Sequence, residues 1–558
     1  MDFLISFVSF FWLIRTFKFV LFWIYLWQLK EYHIGRFVDH FRTEKGKSLV
    51  FNKSLFIKVF FLFILLYSLI LQNSPDDPSD PWLLPGLLGF FGLFVVYAIE
   101  AIKTSKDFIT RDIKKPVFTS KVTLLFSATI VIIIAFFAAI SKNILNAPLA
   151  LVIFDIFTPI IVSAVVLLFQ PFFVAARNNI LKKAKEKIKK FKNLTVIGIT
   201  GSYGKTSTKE FLTTILSAKF NVLSTHEHQN SEIGISQCIL NDLTDKHQIF
   251  IVEMGSYKKG GINLLCDIIK PKIGIVTGVN EQHLALFGSL YNLLSAEGGR
   301  ELAENLPKDG LIVLNGDNKY CLDLYKKVNT LGEARGELKK KLYSLNRNKI
   351  DSDIWAEDVA IKENSISFIT ISKQKEMVSF NVNVLGKQNV QNLLGAILVA
   401  KELGMGFDKI SDACKNIRQE QAGITLQNGI YGINIIDSSY SSNPNGVMAD
   451  LDYLDVFSQK KVIVMPCLIE LGPKSAEIHR QIGKKIAEIC DLAIIATRDK
   501  FEDLKKGAMQ NGMAQDKIMF SDNPKDIFTT MTTFCKEGDA ILLEGGRPKE
   551  LIKLLHVK

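Results

Sequence analysis

The stretch LTVIGITGSYGKTSTKEFLTTILSAK, residues 194–219, decides the fold. It opens with a β-branched apolar run (194–200), turns through Gly201-Ser-Tyr-Gly204, and continues as a helical pattern over 205–219. A strand, a glycine-bearing turn and a helix starting on Lys205-Thr206-Ser207 is the layout of a phosphate loop. The glycines let backbone N–H groups turn inward around phosphate oxygens, and the helix N-terminus adds a positive dipole end. Lys205 is placed to reach the β- and γ-phosphates, and the Thr206 hydroxyl to ligate Mg²⁺. Gly201, Ser202, Gly204, Lys205, Thr206 and Ser207 are therefore the expected nucleotide contacts, with ATP and Mg²⁺ as cofactors. The competing reading, a glycine-rich turn with a solvated lysine, leaves the flanking strand and helix unexplained.

Outward from this loop the alternation continues. QIFIVE (248–253), IGIVT (273–277) and LIVL (311–314) read as buried strands. A second set follows in INIID (433–437), KVIVM (461–465), LAIIA (492–496) and AILLE (540–544), with helices such as 475–490 between them. Strands alternating with helices predict mostly parallel, doubly wound sheets. A boundary between two α/β domains is expected near 418–425.

The front of the chain has a different composition. Of the 40 Phe residues, 27 precede residue 176, whereas all 7 Cys follow residue 237. About 20 apolar residues span a bilayer, and five stretches qualify: 4–28, 54–72, 82–102, 120–140 and 147–175. The first carries Arg15 and Lys18, so it reads either as a span or as a helix in the membrane interface. It lacks the basic start and small-residue cleavage site of a signal peptide. Asp155, inside the last stretch, has no evident partner in the sequence.

Basic residues cluster in 30–53, in 103–121 and in RNNILKKAKEKIKKFKN (177–193), while NSPDDPSDP (73–81) has none. The positive-inside rule places the three basic segments, and all that follows, in the cytoplasm. The expectation is a multi-pass protein of the cytoplasmic membrane. The run at 177–192 is read as a juxtamembrane contact to anionic lipid or a topology signal rather than a nucleic-acid site. The cysteines form no C-x-x-C pair and read as buried reduced thiols, with no zinc-type spacing. This composition excludes a simple soluble enzyme, a disulfide scaffold and a disordered chain.

The general phosphate-loop pattern G-x-x-x-x-G-K-S/T needs glycine at 199, where this chain has Ile199. Its spacing is T-G-x-x-G-K-T, which resembles the Mur ligase family. The resemblance covers about 193–558. Ile251-Val-Glu253-Met-Gly255 resembles the family's strand ending in a metal-binding Glu. Asn280-Glu-Gln-His283 resembles its histidine motif, in which the His helps hold a second Mg²⁺. Asn315-Gly-Asp317-Asn318 resembles the N-x-D turn. Gly386-Lys-Gln388-Asn389-Val-Gln-Asn392 resembles the segment contacting adenine. Asp437-Ser-Ser-Tyr440-Ser-Ser-Asn443-Pro444 and Glu470-Leu-Gly472, with Ser475 and His479, resemble segments of the member that adds D-alanyl-D-alanine.

This resemblance implies a transmembrane helical domain (1–176), a basic linker (177–192), a central ATP-binding P-loop domain (193–420) and a Rossmann-like C-terminal domain (421–558). It implies a membrane-anchored, ATP-dependent carboxylate–amine ligase of peptidoglycan precursor synthesis, acting through an acyl phosphate and adding D-Ala-D-Ala or a similar amine to a muramoyl peptide. Lys205, Glu253 and His283 would be catalytic. Thr206, Glu253 and His283 would hold metal, and Asn389, Asn392, Asp437, Tyr440 and Asn443 would face the nucleotide. The implied partners are a peptide-bearing cell-wall precursor, an amino acid or dipeptide, the lipid bilayer and membrane-bound cell-wall enzymes.

The chain also departs from the family. The carbamoylated Lys of the usual K-x-E segment, aligned on Glu301, falls on Gly299, which leaves either Glu297 to supply a carboxylate or a weaker second metal site. The usual G-R reads Gly423-Ile424, H-N reads Gln388-Asn389, and K-G-S-R reads Glu544-Gly-Gly-Arg547. The membrane segment stands where a UDP-gripping domain is expected. An amide ligase for another polymer, or a degenerate ATP-binding scaffold, remain the alternatives.

Overall fold

Long runs of Phe, Leu, Ile and Val satisfy their backbone hydrogen bonds internally only as helices, the form an apolar solvent demands. The computed structural model describes residues 2–72, 83–110, 113–140, 147–226, 229–280, 283–330, 338–345, 350–439, 442–546 and 549–555. The acidic segment 73–81 lies outside them. Two compact units result, Met1–Asn178 and Asn179–Lys558.

The first unit contains α1 (Asp2–Leu29), α2 (Ile34–His40), α3 (Glu44–Val50), α4 (Lys53–Gln72), α5 (Leu83–Ile109), α6 (Ser120–Ile140) and the start of α7 (Ala147–Ile188). Among the described residues, five helices are long and apolar enough to cross a membrane. The first is a full member of the bundle, with Trp12, Trp23 and Ile24 buried in the unit's core. Many other apolar side chains, such as Phe60, Phe63, Phe91 and Leu168, face outward. That is the inverse of a water-soluble surface, where large contiguous apolar patches are rare.

Asp155 acquires partners that no local sequence pattern reveals. It pairs with Arg15 of α1 and, at 2.7 Å, with Lys58 of α4. Glu100 of α5 completes the group, 3.3 Å from Arg15 and 2.7 Å from Lys58. Four helices thus contribute two cations and two carboxylates, as buried charges require when water is absent.

Helix α7 runs unbroken through Pro159 and Pro171 to Ile188. The basic stretch is therefore helical up to residue 188. Within the second unit, Leu181, Ala184 and Ile188 pack into the core on one helical face, and Lys185 pairs with Asp267 at 2.6 Å.

The second unit carries two sheets. The first comprises β1 (Thr195–Thr200), β2 (Val222–Ser224), β3 (Ile249–Glu253), β4 (Ile273–Val276), β5 (Leu311–Asn315), β6 (Lys339–Ser344), β7 (Ile354–Ile361), β8 (Ile366–Ser372) and β9 (Met377–Val382). Their order is β2-β3-β1-β4-β5-β6-β7-β8-β9. Pairing is parallel through β7, and β7–β9 form an antiparallel extension. The second sheet comprises β10 (Thr425–Asn428), β11 (Asn434–Ser438), β12 (Lys461–Met465), β13 (Leu492–Ile495), β14 (Ile518–Phe520) and β15 (Ala540–Glu544), ordered β10-β11-β15-β12-β13-β14. Only its edge strand β10 is antiparallel. In such sheets, sites form beyond the carboxyl ends of the strands. Here those ends carry Thr200, Glu253 and Ser438.

Candidate active site

The phosphate loop leaves β1 at Thr200 and enters α8 (Lys205–Ser217). Gly201 has φ +138° and Gly204 φ +74°, conformations that disfavour any side chain. A Cβ at Gly201 would strike Thr277 Oγ1 and the Gly278 carbonyl; one at Gly204 would strike the Asn392 amide. Lys205 arches back over the loop and donates to the Gly201 carbonyl. Tyr203 backs the loop. Its hydroxyl accepts from Asn318 Nδ2 at 3.2 Å, and burial pushes it up to about 12.

A cavity of about 620 Å³ opens in front of this loop. Ser202, Gly204, Lys205, Thr206, Ser207, Glu253, His283, Asn389, Asn392 and Asn443 all line it. Parallel pairing of β1 with β3 sets Ile199 opposite Glu253, which carries the carboxylate to the loop's side. One Glu253 oxygen accepts from Asn230 Nδ2 at 3.1 Å. His283 presents its Nδ1 to Glu297 Oε1 at 2.8 Å. Glu297 is 2% exposed, and its other oxygen accepts from Ser202 Oγ at 2.7 Å. Burial pushes the Glu297 carboxyl up, but His283, Lys205 and Ser202 outweigh it and hold it below the usual carboxylate range. The Thr206 hydroxyl and the buried Glu253 carboxylate, both on the cavity wall, are hard-oxygen donors that fit Mg²⁺.

The opposite wall comes from the second sheet and the helix Gln388–Glu402. Asn389 donates to the Leu385 carbonyl at 2.7 Å and accepts from Asn392 at 3.0 Å. Asn280, in the loop after β4, donates to Asn443 Oδ1 at 3.1 Å and Asn445 Oδ1 at 2.9 Å. The Ala285 N–H donates to the Glu470 carbonyl at 3.2 Å. These bonds tie the histidine-bearing segment to the C-terminal sheet.

Other predicted residues stand differently. Gly201 lies behind the cavity rather than on its wall, and the Asp437 carboxylate accepts from the Ser439 N–H at 3.0 Å without lining it. Tyr440 and Arg547 lie outside the described residues. His479, in the helix Ser475–Ile489, is fully buried, accepts from the Leu468 N–H at 3.0 Å and braces the loop that follows β12. Glu301, the carboxylate of the K-x-E-like segment, caps the helix Gly261–Ile269. It accepts from the Gly260 and Asn263 N–H groups at 2.7 and 2.9 Å. Of Glu297 and Glu301, it is Glu297 that lines the cavity.

Sequence reasoning missed a buried carboxyl pair beside the cavity. Asp450 accepts from Gln388 Nε2 at 2.9 Å and from Ser438, and it interacts with Glu544. Burial pushes Asp450 up to about 6 and Glu544 well above its usual range. An acid whose folded value is raised gives stability that is full below its unfolded value, near 4, and is lost as pH rises through about 6. Asp450→Asn is expected to stabilise the chain by about 1–3 kcal/mol at pH 8, with the gain shrinking towards pH 5. Calorimetric unfolding across that range checks it; a gain independent of pH refutes it.

Sequence spacing also gave no hint of a His226–Cys238–Asp242 trio, whose ligand-type atoms lie within 4.8 Å of one another. The Cys238 thiol is pushed up to about 12 by burial and Asp242, so it stays protonated near neutrality. All seven cysteines are buried and unpaired.

Comparison with known proteins agrees with this geometry. Residues 199–400 match the Mur ligase middle domain, and residues 424–547 match the domain described as Mur ligase, glutamate ligase domain. Curated relatives include two UDP-N-acetylmuramoyl-tripeptide–D-alanyl-D-alanine ligases. That of Synechocystis sp. is 28% identical over 354 residues, 63% of this chain and 71% of the relative. That of Bacillus subtilis is 24% identical over 362 residues, 64% and 75% respectively. The fold matches the crystal structure of MurF from Acinetobacter baumannii, with TM-score 0.59, 20% identity and 68% and 79% coverage. It also matches MurF from Thermotoga maritima in complex with ADP, with TM-score 0.58, 23% identity and 68% and 83% coverage. With both domains matched over more than half its length, the chain belongs to the Mur ligase family, the ATP-dependent amide-bond ligases.

Proposed function

We propose that this protein is a membrane-anchored ligase of peptidoglycan precursor synthesis that joins D-Ala-D-Ala, or a closely similar amine, to a muramoyl peptide. The observation that carries the reading is the convergence of the phosphate loop, Glu253, His283, Asn389, Asn392 and Asn443 on one cavity between the two sheets. The names of the relatives support the choice of substrates.

ATP would lie with its phosphates on the Gly201–Ser207 loop and its base towards Asn389 and Asn392, with Asn443 facing the nucleotide. A carboxylate oxygen of the acceptor attacks the γ-phosphorus, ADP leaves, and an acyl phosphate forms. The amine then attacks the acyl carbon, loses a proton, and phosphate departs as the amide forms. Neither step needs a covalent protein intermediate. Both need negative charges brought together and neutralised, a task of preorganised electrostatics. Lys205 supplies one fixed cation. Thr206, Glu253 and His283 would hold Mg²⁺, which would supply Lewis-acid neutralisation of the phosphates.

The five apolar helices support anchoring in the cytoplasmic membrane, with the basic segments and the α/β unit on the cytoplasmic side. An acceptor presented at that surface, lipid-linked or delivered by another membrane-bound cell-wall enzyme, suits a chain whose front is apolar helix. The test is phosphate release by the full chain in detergent. Release is expected to require both a muramoyl tripeptide and D-Ala-D-Ala, with lipid-linked acceptor preferred over UDP-linked. Release indifferent to amine refutes the ligase reading, and equal use of both acceptors refutes presentation at the membrane.

A further inference from the structure

Glu297 ends the short helix Leu290–Ala296, and its backbone N–H donates to the Leu293 carbonyl. Gly298 and Gly299 follow. A Cβ at Gly298 would strike the Leu294 carbonyl, and Gly299 has φ +81°. This turn stops the helix and leaves the carboxylate buried between two elements of the site. One oxygen meets His283 Nδ1 at 2.8 Å; the other meets Ser202 Oγ of the phosphate loop at 2.7 Å. Ser202 in turn lies 3.4 Å from the Asn280 carbonyl, in the loop that carries His283.

An ionised carboxylate only accepts hydrogen bonds. Glu297 therefore takes the Nδ1–H of His283, which leaves the ring's lone pair on Nε2. A carboxylate behind an imidazole fixes the tautomer and ring orientation and raises the basicity of the far nitrogen, and its loss usually lowers metal affinity about 10–100-fold.

We propose that Glu297 is the positioning residue of the metal centre: it holds His283 with Nε2 free to ligate and locks that histidine to the phosphate loop through Ser202. The inference rests on the ligase reading only in taking the metal to be nucleotide-borne.

The test uses the full chain in detergent with a non-hydrolysable ATP analogue and Mn²⁺, read by electron paramagnetic resonance. Glu297→Gln is expected to weaken Mn²⁺ binding about 10–100-fold, while ADP affinity in EDTA stays unchanged. The Mg²⁺ concentration for half-maximal turnover should rise by the same factor, with kcat recovered at high Mg²⁺. His283→Asn should match this loss, and the double variant should lose no more. Wild-type Mn²⁺ affinity in Glu297→Gln, or additive losses in the double variant, overturns the proposal. A measurement on unaltered protein covers a variant that fails to fold. In ¹⁵N-histidine-labelled chain without metal, the His283 resonances should show Nδ1 protonated and Nε2 bare; the opposite tautomer overturns it. Absent amine-dependent turnover with the expected Mn²⁺ losses would refute the ligase reading and leave this inference standing.

Discussion

Lys205→Ala is expected to lower amine-dependent ATP turnover by at least about 10²–10³-fold, the scale of removing one preorganised charge-stabilising group from a transition state. Lys205 is the first residue of α8 and folds back to the Gly201 carbonyl, so its charge is held over the loop before any nucleotide arrives. The fold should survive the change. Phe211, Leu212, Ile215 and Leu216 of α8 are fully buried and anchor the helix, whereas Lys205 is half-buried at the cavity wall. A change of about 0.5 kcal/mol or less in unfolding free energy is expected, so loss of activity cannot be ascribed to unfolding. Phosphate release and thermal unfolding on the same preparation separate the two. Turnover near the wild-type rate would remove Lys205, and with it the phosphate-loop reading, from the account.

The features legible in the sequence are those that neighbouring residues specify. The strand, glycine turn and helix at 194–219 are contiguous, and β1 and α8 form within two residues of the expected ends. Strands β3, β4, β5, β11, β12, β13 and β15 were equally plain, because buried parallel strands are continuous apolar runs. Strands β6 and β7 are not plain in the sequence, since KKKLYS and IWAEDVAI carry charge on partly exposed stretches, although both strands lie inside the sheet. The long-range bonds were invisible for a different reason. Ser202 and Glu297 are 95 residues apart, and Asn280 and Asn443 are 163 apart. Alignment on Glu301 pointed to Gly299 because spacing carries no information on which carboxylate caps a helix and which faces a cavity.

The charges of the first unit make the second strong prediction. Arg15, Lys58, Glu100 and Asp155 balance as two cations against two anions, and Lys58 and Asp155 are almost wholly buried. Tyr97, over whose ring Lys58 lies at 5.2 Å, adds a polarisable wall. Asp155→Leu leaves Arg15 and Lys58 facing Glu100 alone, an uncompensated positive charge in an apolar interior. Removing one partner of a buried pair typically destabilises by about 3–5 kcal/mol, because the survivor keeps its desolvation penalty. Unfolding of the full chain in detergent, followed by tryptophan fluorescence, should show that loss; Trp12 and Trp23 report on this bundle. Replacing all four charged residues by apolar ones of similar volume should instead be close to neutral, since no orphan charge remains. The contrast distinguishes a network that fixes helix pairing from one that supplies net stability. If Asp155→Leu unfolds with the wild-type profile, water reaches the cluster, and the four charges do not determine how these helices pack.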